Sequence, residues 1–320
     1  MSPISTSSSA VRSGAIPHGR TARRLEWSLL PPVLRSMIER RIGSRVVSAE
    51  SAGAGFTPGF ASVLTCDDGS KHFVKAASKK AQRTFADSYR EETRKLRALP
   101  SGLPVPGLLW SHEDDLWVVL ELEYVDGANP ARPWKPADLH RCLDSLEQLA
   151  DRLTPPPLKL DTFADEFADC LTGWDHVRRV TPDLPYLDEA AALASRYREA
   201  TAGDTLVHTD ARDDNFLLSD GRALLCDWNW PVVGASWIDT ALLLIPAHGD
   251  GLDADAILAE RALTREVAAE DVDTLLALIA GYFFERRDDA VPNSSPYIRA
   301  HQSWYAEAAW SWLSSRRAWA

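Results

Sequence analysis

The alternation of hydrophobic and polar positions in the first third of the chain predicts a small β-sheet. Residues 61 to 66 and 70 to 76 alternate around an Asp-Asp-Gly turn, which is typical of a β-hairpin. Residues 116 to 124 form a further apolar strand. Residues 81 to 99 carry apolar side chains at intervals of three, four and seven, which predicts a helix. We therefore expect a strand-rich lobe at residues 25–122.

The second part of the chain has mostly helical periodicity. Residues 123–128 contain a Val-Asp-Gly sequence that is typical of a linker, and we interpret them as a hinge. The helical patterns beyond it occupy residues 138–153, 186–200, 253–262, 270–285 and 298–316. Asp138 is expected to cap the first of these helices. The predicted fold class is α+β, with a larger, mostly helical lobe at residues 129–320.

One polar segment lies between two short apolar stretches. It runs from His208 to Asn215, reads His-Thr-Asp-Ala-Arg-Asp-Asp-Asn, and precedes Asp227 at the end of a second apolar stretch. Transfer of a nucleotide's γ-phosphoryl group needs a carboxylate to accept the hydroxyl proton of the acceptor, and ligands to hold Mg²⁺. Asp210 can be the base, while Asn215 and Asp227 can be the metal ligands. The segment therefore predicts the catalytic loop of a kinase-like phosphotransferase.

Two other interpretations of this segment stay open. Asp and Asn side chains often hydrogen-bond to their own backbone, so the segment could be a polar turn without chemistry. His208 and Asp210 could also belong to a hydrolytic metal site, although no second histidine lies nearby to complete a usual ligand set.

A lysine and a glutamate in the first lobe are candidates for holding nucleotide phosphates. Period-2 alternation places Lys75 on the same strand face as Phe73, where its ammonium group could contact the α- and β-phosphates. The helix at residues 81 to 99 contains Glu91 and Glu92, and either carboxylate could pair with Lys75. We choose Glu92, because it precedes two leucines by one and two helical turns and should point into the lobe.

Backbone groups at two places could complete a nucleotide site. The turn at residues 53–60 includes Gly55, Thr57 and Gly59, and glycines let amide groups approach phosphate oxygens closely. The hinge offers the backbone of Glu123 and Val125 to the edge of an adenine ring.

The composition is that of a globular protein and excludes several classes. Hydrophobic residues make up 45% of the chain and charged residues 25%. No apolar run approaches the roughly 18–20 residues that span a bilayer. The four cysteines are scattered, which indicates neither a disulfide framework nor structural zinc and favours a cytoplasmic location. The net charge of −11 disfavours binding to nucleic acid.

Charge is divided unevenly along the chain. Residues 1–128 have a net charge of +3 and residues 129–320 a net charge of −14. An acidic surface attracts cations, which favours a cationic acceptor, but it could equally serve solubility alone. Residues 1–24 are rich in Ser and Arg without the apolar core of a signal peptide, and we expect a disordered extension.

The residues described above resemble the aminoglycoside phosphotransferase family, which has a protein-kinase-like fold. The resemblance runs from about Leu25 to Trp319. It is carried by the segments 55–59, 73–76, 207–218, 226–228 and 234–239. It implies ATP and Mg²⁺ as cofactors. It also implies that Asp210 is the catalytic base.

The resemblance assigns further roles by position. Asn215 and Asp227 would be the Mg²⁺ ligands, and Lys75 with Glu92 the ion pair that positions the phosphates. His208 would orient the catalytic loop. Arg212 would contact the transferred phosphoryl group, and Asp239 would buttress the loop.

The leading hypothesis is therefore ATP- and Mg²⁺-dependent phosphorylation of a small, cationic hydroxyl compound, such as an aminoglycoside-like antibiotic or metabolite. A kinase acting on Ser or Thr of a peptide and a nucleotide-binding pseudokinase are the alternatives. The oligomeric state is not predicted. Aromatic residues near the C-terminus could line an acceptor pocket, but their helical spacing favours the core: Trp304, Tyr305, Trp310, Trp312 and Trp319.

Overall fold

The first lobe is built on a five-stranded antiparallel sheet. The structure is a computed structural model that describes residues 24–53 and 59–319. The sheet has the strand order β1-β2-β3-β5-β4, and its strands are β1 (Val46–Ser51), β2 (Phe60–Cys66), β3 (Lys71–Ser78), β4 (Leu108–Glu113) and β5 (Trp117–Leu122). The predicted hairpin is β2–β3, and the predicted strand at 116 to 124 is β5.

Helices cover both faces of this sheet. The predicted helix is α2 (Arg83–Ala98), which packs on β3 and β5. A helix that the periodicity did not predict, α1 (Pro32–Ile42), ends at Gly43 with φ +87° and buries Leu34 and Ile38 against the other face. Because both faces are covered, β5 carries a nearly continuous run of buried side chains rather than an alternating one.

The second lobe is mostly helical. Its helices are α3 (Pro136–Arg152), α4 (Phe163–Glu166), α5 (Thr172–Val180), α6 (Leu187–Ala194), α7 (Tyr197–Ala200), α8 (Ile238–Gly249), α9 (Ala254–Glu260), α10 (Ala269–Arg286) and α11 (Ile298–Arg316). Helix α10 lies at the centre and packs against α5, α6 and α11. The α+β, two-lobed fold class is confirmed, with 46% of the described residues in helices and 17% in strands. The exact limits of the two lobes and the hinge stay predictions.

The expected cap of α3 is wrong. The helix begins at Pro136, so Asp138 lies inside its first turn instead of before it. Proline at the first helical position has the right φ and lacks only an N–H that has no partner in the helix, which explains the earlier start. The Asp138 carboxylate pairs instead with Arg141, one turn along.

Most of the aromatic residues near the C-terminus follow the core interpretation, while Tyr305 is buried and also lines a cavity. Trp304, Tyr305 and Trp312 are buried, while Trp310 packs on Trp174 and Trp319 stacks on a tyrosine ring. Across the described ranges, none of the helices combines the length and the apolar character that crossing a membrane requires.

Two short strand pairs carry the polar segments of the second lobe. Strand β6 (Thr205–Val207) pairs with β9 (Val232–Gly234), and β7 (Phe216–Ser219) forms a hairpin with β8 (Arg222–Leu225). The segment 208–215 connects β6 to β7, and Asp227 follows β8. The polar groups found in the sequence are therefore carried on strand ends that the fold brings together.

Candidate active site

A buried carboxylate fixes the start of the predicted catalytic loop, residues 208–215. The two oxygens of Asp239, in the first turn of α8, accept the backbone N–H groups of His208 at 2.6 Å and Thr209 at 2.7 Å. Thr209 has φ +66°, a conformation that a β-branched residue adopts only at an energetic cost. The two hydrogen bonds from Asp239 hold the loop in this conformation.

The His208 ring connects the catalytic loop to the segment that carries Asp227. Its Nε2 lies 2.9 Å from the carbonyl oxygen of Cys226, and its Nδ1 accepts the N–H of Asp210 at 3.3 Å. Both ring nitrogens are therefore used, with Nε2 as the donor, and the ring also packs edge-on against Trp228. No group of three or more His, Cys, Asp or Glu side chains able to bind a metal occurs in the described ranges. The hydrolytic alternative built on His208 finds no support.

Asp210 is held at both carboxylate oxygens. The side-chain amide nitrogen of Asn215 donates to Asp210 Oδ2 at 2.9 Å and to its backbone oxygen at 2.8 Å. Arg212 Nε forms an ion pair with Oδ1 at 3.0 Å. The Asp210 side chain is still 34% exposed, because it lines a cavity.

Lys75 joins the two lobes through two carboxylates. Its Nζ lies 2.7 Å from Glu92 Oε1 and 2.9 Å from Asp227 Oδ1, and all three groups converge on the cleft. The predicted pairing with Glu92 is thus present, while Glu91 pairs with Arg94 on the surface. The ion pairs of Lys75 therefore connect the two lobes across the cleft, in addition to the hinge.

The protonation of this cluster follows from its charges. Burial by itself would lower the pKa of Lys75, but Asp227 and Glu92 outweigh it and raise that pKa above its usual value. Burial would likewise raise the pKa of Asp227, but Lys75 outweighs it and holds the pKa below its usual range. Lys75 and Asp227 are therefore both charged at neutral pH.

Asp227 lies between two cavities. The residue has φ +65°, and its Oδ1 also accepts the amide N–H of Asn229 at 2.6 Å. Its Oδ2 accepts no hydrogen bond from any residue that the structure describes, and the side chain is 30% exposed. Asp227 lines both the cleft cavity and the cavity next to Asp210.

The cleft cavity has a volume of about 410 Å³. One part of its lining is apolar and comes mainly from the sheet: Ala61, Val63, Phe73, Leu122 and Leu217. Lys75, Asn215 and Asp227 provide polar groups. An apolar slot with charged groups beside it is the arrangement that a nucleotide requires, with the base in the slot and the phosphates at the charges.

The hinge presents backbone groups to this cavity. The N–H of Glu123 donates to Gly107 O at 2.7 Å, so it is not available to a ligand. The carbonyl of Glu123 and the N–H of Val125 form no hydrogen bond with other described residues, and both residues line the cavity. One acceptor and one donor are therefore open at the hinge.

The glycine turn is only partly described. Gly55 and Thr57 lie outside the described residues. Gly59 approaches Tyr89 so closely that a Cβ atom there would lie 2.5 Å from the Tyr89 hydroxyl oxygen. Gly59 therefore has a packing role against Tyr89, which differs from the phosphate contact predicted for this turn.

Arg212 lies on the Asp210 side of the site. It forms ion pairs with Asp210 and with Asp214, whose oxygen is 3.2 Å from Arg212 Nε. Its Nη1 lies 3.2 Å from Nε2 of His301 on α11. Burial raises the pKa of Asp214 to about 6, even though Arg212 acts in the opposite direction. Arg212 lines the cavity next to Asp210 rather than the cleft cavity.

Sequence reasoning missed several residues that shape the site. Arg132 binds Asp250 through two nitrogens and contacts Asp213 at 3.0 Å, which anchors the catalytic loop from behind. Asn129 donates to the carbonyls of Asp214 and Phe216. These partners are about 80 to 120 residues apart in the chain, so no local pattern could reveal them. Arg24, placed in the extension, lines the cleft cavity.

The cavity next to Asp210 has a volume of about 520 Å³. Residues of α8, α10 and α11 line it, together with the segment 166–170 and Trp230. The buried hydroxyl of Tyr305 lies in this lining and has no hydrogen-bond partner within the described part of the chain. The residue Asp227 thus separates this cavity from the cleft cavity, so that two molecules could bind on its two sides.

A model of the phosphotransferase enzyme family, APH, matches residues 61–281, more than half of the chain. The chain belongs to this family. The resemblance expected from the sequence is confirmed, and the protein is a phosphotransferase that acts on hydroxyl groups of small molecules. No curated protein matches the chain in sequence.

Solved structures show the same fold as this APH-family chain. An aminoglycoside phosphotransferase in ternary complex with ADP and hygromycin B has a TM-score of 0.61 and 14% identity, covering 88% of this chain and 98% of its own. The choline kinase LicA of Streptococcus pneumoniae has a TM-score of 0.58 and 16% identity, covering 88% and 99%. A macrolide 2′-phosphotransferase type I has a TM-score of 0.54 and 18% identity, covering 89% and 98%.

The residues of this APH-family chain fit the ATP and Mg²⁺ that such enzymes imply. Because the amide nitrogen of Asn215 is engaged by Asp210, its amide oxygen is the atom left to coordinate a metal. Asp227 Oδ2 has no protein partner among the described residues. Two oxygen ligands, one of them charged, are what Mg²⁺ prefers when it is also held by phosphates.

Proposed function

We propose that the protein transfers the γ-phosphoryl group of ATP, in the presence of Mg²⁺, to a hydroxyl group of a small cationic molecule. The observation that carries the proposal is the position of Asp227. It lies between a nucleotide-sized cavity that contains Lys75 and a second cavity that contains Asp210. A phosphoryl group passing from one molecule to another would need this arrangement.

Asp210 is the catalytic base in this proposal. The acceptor's hydroxyl oxygen would form a bond to the γ-phosphorus while the bond from that phosphorus to the bridging oxygen of ADP breaks. The hydroxyl proton would pass to the Asp210 carboxylate. The bonds from Asn215 and Arg212 fix the direction in which this carboxylate points, and such positioning is a large part of catalysis.

Lys75, Asn215 and Asp227 would hold the nucleotide's charged end. Lys75 carries a positive charge fixed by Glu92, so it would bind phosphate oxygens without needing to reorganise. Asn215 and Asp227 would bind Mg²⁺, which when present neutralises negative charge on the phosphates. The hinge groups of Glu123 and Val125 would contact the adenine edge.

His208 and Asp239 act as positioning residues in this proposal, because they hold the loop without facing either cavity. Arg212 has a different place. It lines the acceptor cavity next to Asp210, where its charge would stabilise both the Asp210 carboxylate and negative charge developing on the transferred phosphoryl group. Gly55 and Thr57 remain proposed phosphate contacts.

A preference for cations is supported by the acceptor cavity. Glu166 and Asp169 lie in its lining and are exposed, and the exposed ring of Trp230 offers a face that attracts cations. A cytoplasmic location is also proposed, since all four cysteines are free and a reducing compartment keeps them so.

The test measures ADP release by the purified chain with Mg²⁺ and ATP. The acceptors would be aminoglycosides, amino alcohols and basic Ser- or Thr-containing peptides. The proposal expects release that depends on a small-molecule acceptor and stops when EDTA removes the metal. Release stimulated only by peptides would favour a peptide kinase, and nucleotide binding without any transfer would favour a pseudokinase.

A further inference from the structure

The acceptor cavity has long apolar walls. Leu242 and Ile245 of α8, Ile279 and Phe283 of α10, and Ile298 of α11 all line it. None of these side chains can form a hydrogen bond, so polar atoms placed against them would lose their hydration without compensation. A volume of about 520 Å³ is enough for a molecule with a sizeable apolar body.

Polar groups gather around Arg212, which lies in the lining. Asp210 and Asp214 form ion pairs with it, His301 lies 3.2 Å from its Nη1, and the Tyr305 hydroxyl lies in the same lining without a hydrogen-bond partner in the described chain. Because a buried hydroxyl without a partner is unfavourable, a polar group of the acceptor would complete this part of the site. The reacting hydroxyl belongs here, beside Asp210.

Few negative charges remain for a cationic acceptor. Asp210 and Asp214 share one cationic partner, Arg212. Asp227 pairs with Lys75 and is also the proposed metal ligand. Glu166 and Asp169 are the other carboxylates in the lining, and neither forms an ion pair with a described residue. The lining thus has four carboxylates and two guanidinium groups, those of Arg212 and Arg286. With Asp227 assigned to the metal, a net charge of −1 remains in the lining, which matches one ammonium group better than several. A molecule with many ammonium groups would have to leave some of them against apolar walls.

We propose that the acceptor is an amphipathic amino alcohol: an apolar ring system or chain, a single ammonium group and the hydroxyl that reacts. The apolar body would lie against α8, α10 and α11, the ammonium near Glu166 and Asp169, and the hydroxyl at Asp210. This inference rests on the proposed phosphotransferase function and narrows its substrate class.

The first experiment compares three alcohols as acceptors. They are 2-(dimethylamino)ethanol, its analogue in which one N-methyl group is replaced by naphthylmethyl, and the polycationic aminoglycoside hygromycin B. The inference expects kcat/KM for the naphthylmethyl compound to exceed that of the other two by about tenfold or more, since the added ring buries apolar surface. If hygromycin B is the best acceptor, the inference is wrong while the phosphotransferase function stands.

The second experiment separates binding from transfer. Calorimetry would measure binding of the naphthylmethyl compound to the enzyme loaded with Mg²⁺ and a non-hydrolysable ATP analogue. We expect binding with a negative heat-capacity change, which marks burial of apolar surface. A Glu166→Gln, Asp169→Asn double variant should weaken binding about tenfold, and should not weaken binding of an uncharged analogue in which carbon replaces the nitrogen.

Asp161→Asn is the matched control, because Asp161 is exposed on the same part of the chain but does not line the cavity. It should leave binding unchanged. Binding that shows these features without ADP release for any alcohol would uphold the pocket assignment and reject the proposed function. No binding of the naphthylmethyl compound, or binding unaffected by the double variant, would overturn the inference.

Discussion

Removing the Asp239 carboxylate should both destabilise the protein and slow its reaction. The carboxylate accepts two backbone N–H groups, at 2.6 Å from His208 and 2.7 Å from Thr209, and it is 8% exposed. In Asp239→Ala no side-chain atom replaces either oxygen. Water has little access to this place, so both N–H groups lose their partner.

The magnitude follows from those two bonds. A buried N–H group left without an acceptor costs about 1–3 kcal/mol, so two of them cost about 2–6 kcal/mol. Burial raises the pKa of Asp239, which means that the folded protein already bears a cost for burying this charge. Removing the carboxylate recovers part of that cost, and we expect a net loss of about 3 kcal/mol.

The assay is thermal unfolding together with steady-state kinetics. For a chain of this size 1 kcal/mol corresponds to about 2 °C, so Tm should fall by about 6 °C. The maximal rate should fall about a hundredfold, since the loop that carries Asp210 loses its anchor. Asp188 also lies in the first turn of a helix, but its carboxylate is exposed and pairs only with Arg178.

Asp188→Ala is therefore the control, and it should lower the free energy of unfolding by less than about 1 kcal/mol. If Asp239→Ala behaves like Asp188→Ala in both assays, the anchoring role is refuted.

Three further predictions concern the first lobe. Glu92→Gln should destabilise the protein by about 1–3 kcal/mol and weaken nucleotide binding in a fluorescence titration, because Lys75 loses a charged partner. The control Glu91→Gln should change stability and binding by little, and equal effects of the two variants would contradict the choice of Glu92. Gly59→Ala should lower the free energy of unfolding by about 1–3 kcal/mol in chemical denaturation, because the new Cβ meets the Tyr89 hydroxyl. Adding Tyr89→Phe should recover part of this stability, and purely additive losses in the double variant would count against the clash. Hydrogen bonds from Arg90 and Lys79 lower the pKa of Glu113 from 4.5 to about 2, so the pair stabilises the fold above pH 4.5 and the stabilisation is lost as pH falls towards 2. Since Glu113 is 40% exposed, Glu113→Gln should lower the free energy of unfolding by at most about 1 kcal/mol at pH 7. This difference from wild type should shrink by more than half at pH 3, and a difference that grows at low pH would contradict the lowered pKa of Glu113.

Local sequence patterns predicted the structural features that depend on interactions between residues close together in the chain. The Asp-Asp-Gly turn predicted the β2–β3 hairpin because that turn favours a reversal wherever it occurs. Helical spacing distinguished Glu92 from Glu91 because only one face of α2 can be buried. The loop from His208 to Asn215 was recognisable because its groups lie within one short segment.

Features that depend on distant partners could not be predicted in this way. The contacts of Arg132 with Asp213 and Asp250 join residues that no spacing relates. Helix α1 as a whole was not predicted, because two prolines precede an arginine-rich stretch, although proline at a first helical position favours a helix. The open hydroxyl of Tyr305 and the apolar walls of the acceptor cavity arise only when α8, α10 and α11 pack together.

The most direct test of the central claim measures transfer of labelled phosphate from γ-labelled ATP to an alcohol acceptor by the wild-type protein and by Asp210→Asn. Nucleotide binding would be measured in parallel for both proteins. If Asp210 is the base, Asp210→Asn should bind nucleotide within about threefold of wild type yet transfer phosphate at least about 10²-fold more slowly. Transfer at the wild-type rate by Asp210→Asn would contradict the assignment of Asp210 as the base.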